Sequence, residues 1–235
     1  SNYIMAHIEV MANNGDETKE KGELWLGNSL EEFKPREIAE KAAEKVIYAL
    51  GGSSVESGKR NVIIENKVFA DILECFCSNF YADNVQKGFS LLKGKIGEKI
   101  ADDKITIIDN PLLENGYIIT AFDSEGVATY SKNVIESGIL KTYLYNLKSA
   151  NKDNVKSTGN GFKFGFKSAV STSTTNFYIK EGSLEINEMV EKMGDGLIIT
   201  DVAGLHSGAS AVSGDFSFAA EGFKVENGNI TAPVN

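Results

Sequence analysis

Apolar and polar positions along the chain fall into two periods. Between residues 35 and 50 the apolar residues Ile38, Ala42, Val46 and Ala49 recur at helical spacing, flanked by Ala39, Ala43, Ile47 and Leu50. One face of a helix is therefore built for burial. Ser29 with Glu32 fits a capping box, Pro35 suits a first helical turn, and Gly51-Gly52 ends the run. Val62-Ile63-Ile64 reads as a short buried-type strand. A second stripe follows, Val68, Ile72, Phe76 and Phe80, widened by Phe69 and Leu73, and it predicts a core-facing helix. The chain opens on a predicted strand, residues 3–11, paired with residues 23–26. A long charged loop starting at Asn13-Asn14-Gly15-Asp16 is expected between them.

After about residue 100 strand-like runs take over. Strands are predicted over residues 105–108, 117–122, 127–130, 139–145, 176–179, 197–202 and 216–220. Asn227-Gly228, between Phe223-Lys224-Val225 and Ile230, is a strong hairpin turn. One helix interrupts these strands, with Ser183 as its cap, Met189, Val190 and Met193 inward, and Gly194 at its end. The order predicts an α+β fold, helices mainly in the N-terminal third and predominantly antiparallel strands after about residue 100. No internal repeat and no Ser/Gly/Pro tether divides the chain, so residues 1–235 read as a single domain.

Composition narrows the function classes. The net charge is −9, which weighs against nucleic acid as the main ligand. No apolar run approaches the roughly 18–20 residues of a membrane span, and no charged-then-apolar leader opens the chain. Cys75 and Cys77 lie two residues apart and point in different directions on any regular element. They are expected to be buried, inert thiols of a reducing compartment.

Familiar catalytic signatures are missing. The sequence has no GxGxxG, no GxxxxGK[ST], no GxSxG and no HExxH, and its two histidines, His7 and His206, stand far apart. Several glycine-bearing runs stand out instead. In Phe122-Asp123-Ser124-Glu125-Gly126-Val127, Asp123 and Glu125 would share a strand face and serve either as an acid/base pair or as turn formers. Ser157-Thr158-Gly159-Asn160-Gly161 offers backbone N–H groups and positive-φ positions, as an extended-peptide or anion site needs, and as a plain tight turn needs too.

These runs resemble the PmbA/TldD family, and more closely its PmbA-like branch. The match continues through Ile135-Glu136-Ser137-Gly138-Ile139-Leu140-Lys141-Thr142-Tyr143-Leu144, Gly182-Ser183-Leu184 and Met193-Gly194-Asp195-Gly196-Leu197. It ends in Ser213-Gly214-Asp215-Phe216-Ser217 and Glu221-Gly222-Phe223-Lys224-Val225-Glu226-Asn227-Gly228. Each piece is weak alone; their order over about residues 105–234 is specific. The resemblance implies a cytoplasmic, intracellular protease system linked to peptide-antibiotic maturation and antitoxin turnover, and to the older label "modulator of DNA gyrase". TldD-like subunits carry an HExxxH zinc helix, and PmbA-like subunits pair with them. Family members are roughly twice as long, so the chain is expected to be a C-terminal-type domain, truncated at both ends.

In TldD-like chains the zinc helix follows a short apolar strand. The corresponding place here is Val62-Ile63-Ile64, with Glu65 at the first histidine, Asn66 at the general-base glutamate and Ala70 at the second histidine. Zinc hydrolysis needs imidazole or thiolate ligands and a base beside the bound water, so no catalytic residue and no metal are assigned to this chain. The third ligand of the metal-bearing branch, a cysteine near its C-terminus, lies beyond Asn235 by the resemblance. The implied role is a metal-free subunit that helps bind peptide or unfolded protein, with zinc on a TldD-like partner subunit. Thr158, Gly159, Asn160 and Gly161 are the candidate peptide-binding positions. Alternatives are a stand-alone hydrolase using Asp123, Glu125 or Asp215, and a peptide-binding protein with no protease partner.

Overall fold

The computed structural model describes residues 3–114 and 116–235. Strands β1 (Ile4–Asn14) and β2 (Glu17–Gly27) open the chain, followed by a 3-10 turn at Leu30–Glu32 and helix α1 (Pro35–Ala49). Next come β3 (Val62–Ile64), α2 (Asn66–Phe76), a 3-10 turn at Cys77–Phe80 and α3 (Ala82–Lys87). The middle of the chain carries β4 (Ile107–Asp109), β5 (Lys132–Glu136), β6 (Ile139–Leu140), α4 (Leu147–Asp153), β7 (Gly161–Phe162), β8 (Ser171–Thr172) and β9 (Phe177–Ile179). The end carries α5 (Ile186–Met193), β10 (Gly196–Ala203), α6 (Leu205–Gly208), β11 (Ala219–Glu226) and β12 (Asn229–Val234). Helices and mostly antiparallel sheets make the fold α+β; β3 and β10 are the parallel pair.

The chain forms two compact units. One comprises the chain up to Phe69, Leu184–Gly204 and Phe218–Asn235; the other comprises Ala70–Ser183 and Leu205–Ser217.

In the first unit β1 and β2 form a ladder that runs from Ile4↔Gly27 to Asn14↔Glu17, closed by a two-residue turn at Gly15-Asp16. The charged stretch expected as a long loop is therefore strand. Its residues alternate: Glu17, Lys19, Lys21, Glu23 and Trp25 face inward, while Thr18, Glu20 and Leu24 face outward. Inward charges are tolerated because each has a partner. Lys19 pairs with Glu221 at 3.0 Å, Lys21 with Glu221 at 2.6 Å and with Asp201, and Glu23 with Lys45 at 2.8 Å and with Lys67. Helix α1 lies against this hairpin and buries Ile38, Ala42 and Val46, as its stripe predicted. Ser29 caps the 3-10 turn through Glu31 N–H rather than α1, which starts directly at Pro35. The sheet β12-β11-β10-β3 packs Ile198 and Val225 against Val190 of α5 and Ile63 of β3. Helix α5 takes Glu185 as its N-cap, not Ser183, and ends at Gly194 with φ 72°.

The second unit centres on the sheet β6-β5-β4-β9, with a core of Phe80, Val85, Ile107, Val134, Leu140, Tyr143 and Leu144. The α2 stripe meets expectation only in part. Helix α2 stops at Phe76 and a 3-10 turn follows, so Phe80 reaches the core by different geometry while Phe76 is half-buried, edge-on to Phe216 at 6.1 Å. Residues 117–122 and 127–130 form no ladder beyond a bridge at Phe122↔Ala128. Apolar alternation there serves an irregular loop, tied at Thr129 N–H to Ala121 O and at Ile118 to the Asn176 amide. Residues 139–145 are ladder only at Ile139 and Leu140, and the predicted strand at 216–220 begins at Ala219.

Burial pushes the Glu23 carboxyl upward, but the hydrogen bonds and charges of Lys45 and Lys67 outweigh it and hold the group below the usual carboxylate range. A carboxyl depressed on folding stabilises the fold above its unfolded value and loses that contribution as pH falls through its folded value. The stability of the wild-type protein is therefore expected to fall on acidification below about pH 4.5, and Glu23→Gln to fall less steeply over that window. Urea midpoints at pH 7 and pH 3.5 check this; parallel slopes would dismiss Glu23 as a contributor.

Candidate functional site

A buried polar centre organises the second unit, and it begins with a carboxylate inside the sheet. Asp109, at the end of β4, has no solvent exposure. Its Oδ2 accepts from Lys132 Nζ at 3.0 Å and from Asn160 Nδ2 at 2.8 Å. Its Oδ1 accepts from Thr175 N–H at 2.6 Å and Thr175 Oγ1 at 2.8 Å. Lys132 stands on the inward side of β5, in phase with Val134, and Nζ lies 4.8 Å from the centre of the Tyr130 ring. Burial pulls the Lys132 ammonium below its ordinary pKa, and Asp109 counters part of that.

Asn160 connects this pair to the glycine-bearing run. Its Oδ1 accepts from Thr158 Oγ1 at 2.7 Å and its Nδ2 also donates to Ser173 O at 2.9 Å. Thr158 Oγ1 in turn accepts from Tyr145 N–H at 2.7 Å. Thr158, Gly159, Asn160 and Gly161 are all buried. Their four N–H groups bond within the chain: Thr158 and Asn160 to Tyr145 O, Gly159 to Ser157 Oγ, and Gly161 to Asp123 Oδ2. Gly159 has φ 71°, and a Cβ there would lie 2.8 Å from Ala128 O and 3.1 Å from Thr129 Cα. This segment brings together Asp109, Asp123, Lys132 and Tyr145.

Asp123 and Glu125 do not share a strand face. They occupy a turn in which Gly126 N–H donates to Asp123 O, and the Asp123 carboxylate accepts from Glu125 N–H, Val127 N–H and Gly161 N–H. Glu125 Oε2 accepts from Leu147 N–H at 2.7 Å, at the positive end of α4. Both carboxylates bind main-chain N–H groups, as turn formers do. Asp215 is exposed on a separate turn, where its backbone bonds Ser210 and Ser213. Cys77 is buried, and burial pushes its thiol to about 12; Cys75 is half-buried and also raised, first by burial. Protonated thiols are poor nucleophiles.

At the β3–α2 junction a short apolar strand leads directly into a helix. Glu65 is half-buried, and its backbone bonds Ile199 O and Phe69 N–H. Asn66 and Ala70 are exposed, one turn apart, and Asn66 Oδ1 accepts from Lys67 N–H. One carboxylate, one amide and one methyl do not fit zinc, which takes three or four ligands drawn from Cys, His, Asp and Glu. Among the described residues no group of three His, Cys, Asp or Glu side chains could hold a metal. A polar cleft of about 330 Å³, lined by Lys59, Arg60, Asn61, Asp195 and Gly196, lies at the opposite, N-terminal end of β3.

The sequence model of the PmbA/TldA metallopeptidase C-terminal domain matches residues 57–235. The chain belongs to this family. The Metalloprotease PmbA of Escherichia coli O157:H7 is 30% identical over 99% of the chain and 49% of its own length. A crystal structure of a Thermotoga maritima protein, described as a candidate modulator of a DNA gyrase, superposes with a TM-score of 0.92 at 37% identity, over 98% of this chain and 52% of that one. TldE from Thermococcus kodakarensis shares the fold, with a TM-score of 0.84 at 21% identity over 99% of this chain and 53% of that one. The chain thus spans about half the length of the PmbA/TldD relatives it matches. Among the described residues no helix is long and apolar enough to cross a membrane.

Sequence reasoning singled out Asn160 but missed Asp109 and Lys132. A signal existed: Lys132 alternates in phase with Val134 in an apolar strand, and a buried cation requires an anion nearby.

Replacing Lys132 by Met leaves Asp109 charged and buried, which is expected to cost about 3–5 kcal/mol in a urea titration. Adding Asp109→Asn should recover part of that loss; a neutral Lys132→Met would refute the pairing. Gly159→Ala forces a Cβ into the Ala128–Thr129 backbone and should cost about 1–3 kcal/mol. Unchanged stability would show that the turn can relax.

Proposed function

We propose that this chain is part of a PmbA-like, metal-free subunit of a metalloprotease system, and that it helps hold peptide for a TldD-like subunit that carries the zinc. The observation that carries the reading is the β3–α2 junction. The strand and the helix are in place, but the positions the resemblance assigns to ligands and base are Glu65, Asn66 and Ala70. A hydrolytic zinc site needs a ligand set and a base together, and substitution at all three positions removes both. Membership of a metallopeptidase family supports a proteolytic context. Thr158, Gly159, Asn160 and Gly161 belong to the peptide-holding face in this reading. Their bonds to Asp123, Tyr145 and Ser173 fix the base of the hairpin formed by β7 and β8, and they act by positioning it. A fixed framework lowers the ordering cost of binding.

Purified chain is expected to contain no stoichiometric zinc and to hydrolyse no peptide alone. Mixed with a TldD-like subunit it should co-elute in gel filtration and raise peptide hydrolysis above that of the subunit by itself. About one zinc per chain by elemental analysis, or peptidase activity of the isolated chain, would overturn the reading.

A further inference from the structure

Residues 154–180 contain four lysines, Lys156, Lys163, Lys167 and Lys180, and no aspartate or glutamate, in a chain of net charge −9. None of these four forms an ion pair among the described residues, and all four are free to meet a ligand's charge, unlike the inward-facing Lys19, Lys21 and Lys132. At the middle of the acid-free stretch lies the turn joining β7 and β8. Phe164 and Phe166 there are 77% and 85% exposed, the highest values among the exposed large apolar side chains. Lys163 and Lys167 flank them, and Lys167 Nζ sits 5.4 Å from the centre of the Phe166 ring.

The turn is built rather than loose. Ser168 N–H donates to Gly165 O at 3.0 Å, Gly165 N–H donates to Ser168 Oγ at 2.9 Å, and Ser168 Oγ donates back to Gly165 O at 2.8 Å. At its base Lys163 N–H donates to Ser124 Oγ and Ser124 N–H donates to Gly161 O. Two phenylalanines held in water on a braced hairpin are the mark of a binding surface. Unpaired cations on either side of them set the charge of the occupant.

We propose that this hairpin tip docks an acidic peptide segment that carries apolar side chains, the apolar groups meeting Phe164 and Phe166 and the carboxylates meeting Lys163 and Lys167. The inference rests on the peptide-holding role above and specifies the class of peptide. The chain as a whole carries a net charge of −9, so an acid-free, lysine-bearing tip is a local contrast that an acidic segment can distinguish.

The test is fluorescence anisotropy of the whole chain with a labelled twelve-residue peptide of alternating Glu and Leu. The comparison probes are its Lys/Leu and Glu/Ser counterparts and a single-stranded oligothymidine. Glu/Leu should bind with the lowest Kd, weakening as salt rises. The F164S/F166S and K163E/K167E variants should each weaken it by roughly tenfold or more, with unchanged thermal melting. Equal binding of the Lys/Leu or Glu/Ser peptide, or of the oligothymidine, would overturn the proposal. So would unchanged affinity in either variant, or a chain dimer that the F164S/F166S change dissolves. Hydrolysis by the mixture with a TldD-like subunit separates the two claims. Activity without Glu/Leu binding sinks the docking site alone, whereas binding by a chain that contributes nothing to the mixture sinks the subunit role alone.

Discussion

The Asp109 carboxylate is the constraint on which the second unit depends. An ion placed inside a protein gives up several kcal/mol of hydration and recovers it only through close, well-directed partners. Four donors from three separate stretches converge on it: Lys132 from β5, Asn160 from the glycine-bearing run, and two groups of Thr175. The ladders around it are short: β4 spans only Ile107–Asp109, β7 and β8 have two residues each, and Thr175 lies outside any strand. The carboxylate therefore does for the irregular part of the unit what a long ladder does elsewhere. It also makes the pieces interdependent, because withdrawing any one donor leaves a buried charge short of a partner.

The first unit solves a related problem at higher solvent exposure. Lys19, Lys21 and Glu23 all face inward from β2, and an inward-facing charge in a two-stranded ribbon is costly unless it is met from another element. Glu221 of β11 and Asp201 of β10 meet the lysines, and Lys45 of α1 with Lys67 of α2 meets the glutamate. Exposed ion pairs contribute little. Here the side chains are 16%, 14% and 11% exposed for Lys19, Lys21 and Glu23, so the pairs fix which elements stand next to the hairpin. Opposite signs along one strand give each position a different required neighbour, a form of register control that apolar contacts lack.

Legibility of the sequence followed the range of the interactions. Helix α1, the Val62-Ile63-Ile64 strand and the Asn227-Gly228 turn were readable because their signals lie within a few residues. The extent of β2 was not. Its alternation is written in Lys and Glu, and their ability to face inward depends on Asp201 and Glu221 some 180 to 200 positions away. Helix α4 was missed because its seven residues, Leu-Lys-Ser-Ala-Asn-Lys-Asp, carry no apolar stripe; its start is fixed by an Asn146–Ser149 capping box and by the Glu125 carboxylate. Conversely, residues 117–122 and 127–130 carry a strand-like pattern but lack a ladder partner beyond one bridge. The same limit applied to the site. Asn160 stood in a recognisable run, but the Asp109–Lys132 pair exists only once β4 and β5 are side by side.

What the chain can bind is constrained by what its interior has already used. Asp109, Lys132 and Asn160 are saturated with internal partners, Asp123 and Glu125 accept main-chain N–H groups, and the N–H groups of residues 158–161 are engaged. A ligand that drew on any of these would first have to break a bond in a low-dielectric setting, where an unpaired polar group is most expensive. Recognition groups that cost no internal bond are exposed ones, and the proposed docking tip draws on such groups: Lys163, Lys167, Phe164 and Phe166 on the β7–β8 turn. A rigid, fully satisfied base with an aromatic and cationic tip divides the labour between geometry and contact. In the proposed docking role it would lose little conformational freedom on binding, and the specificity it could express would be limited to charge sign and apolar content, as a surface for peptides of varied sequence requires.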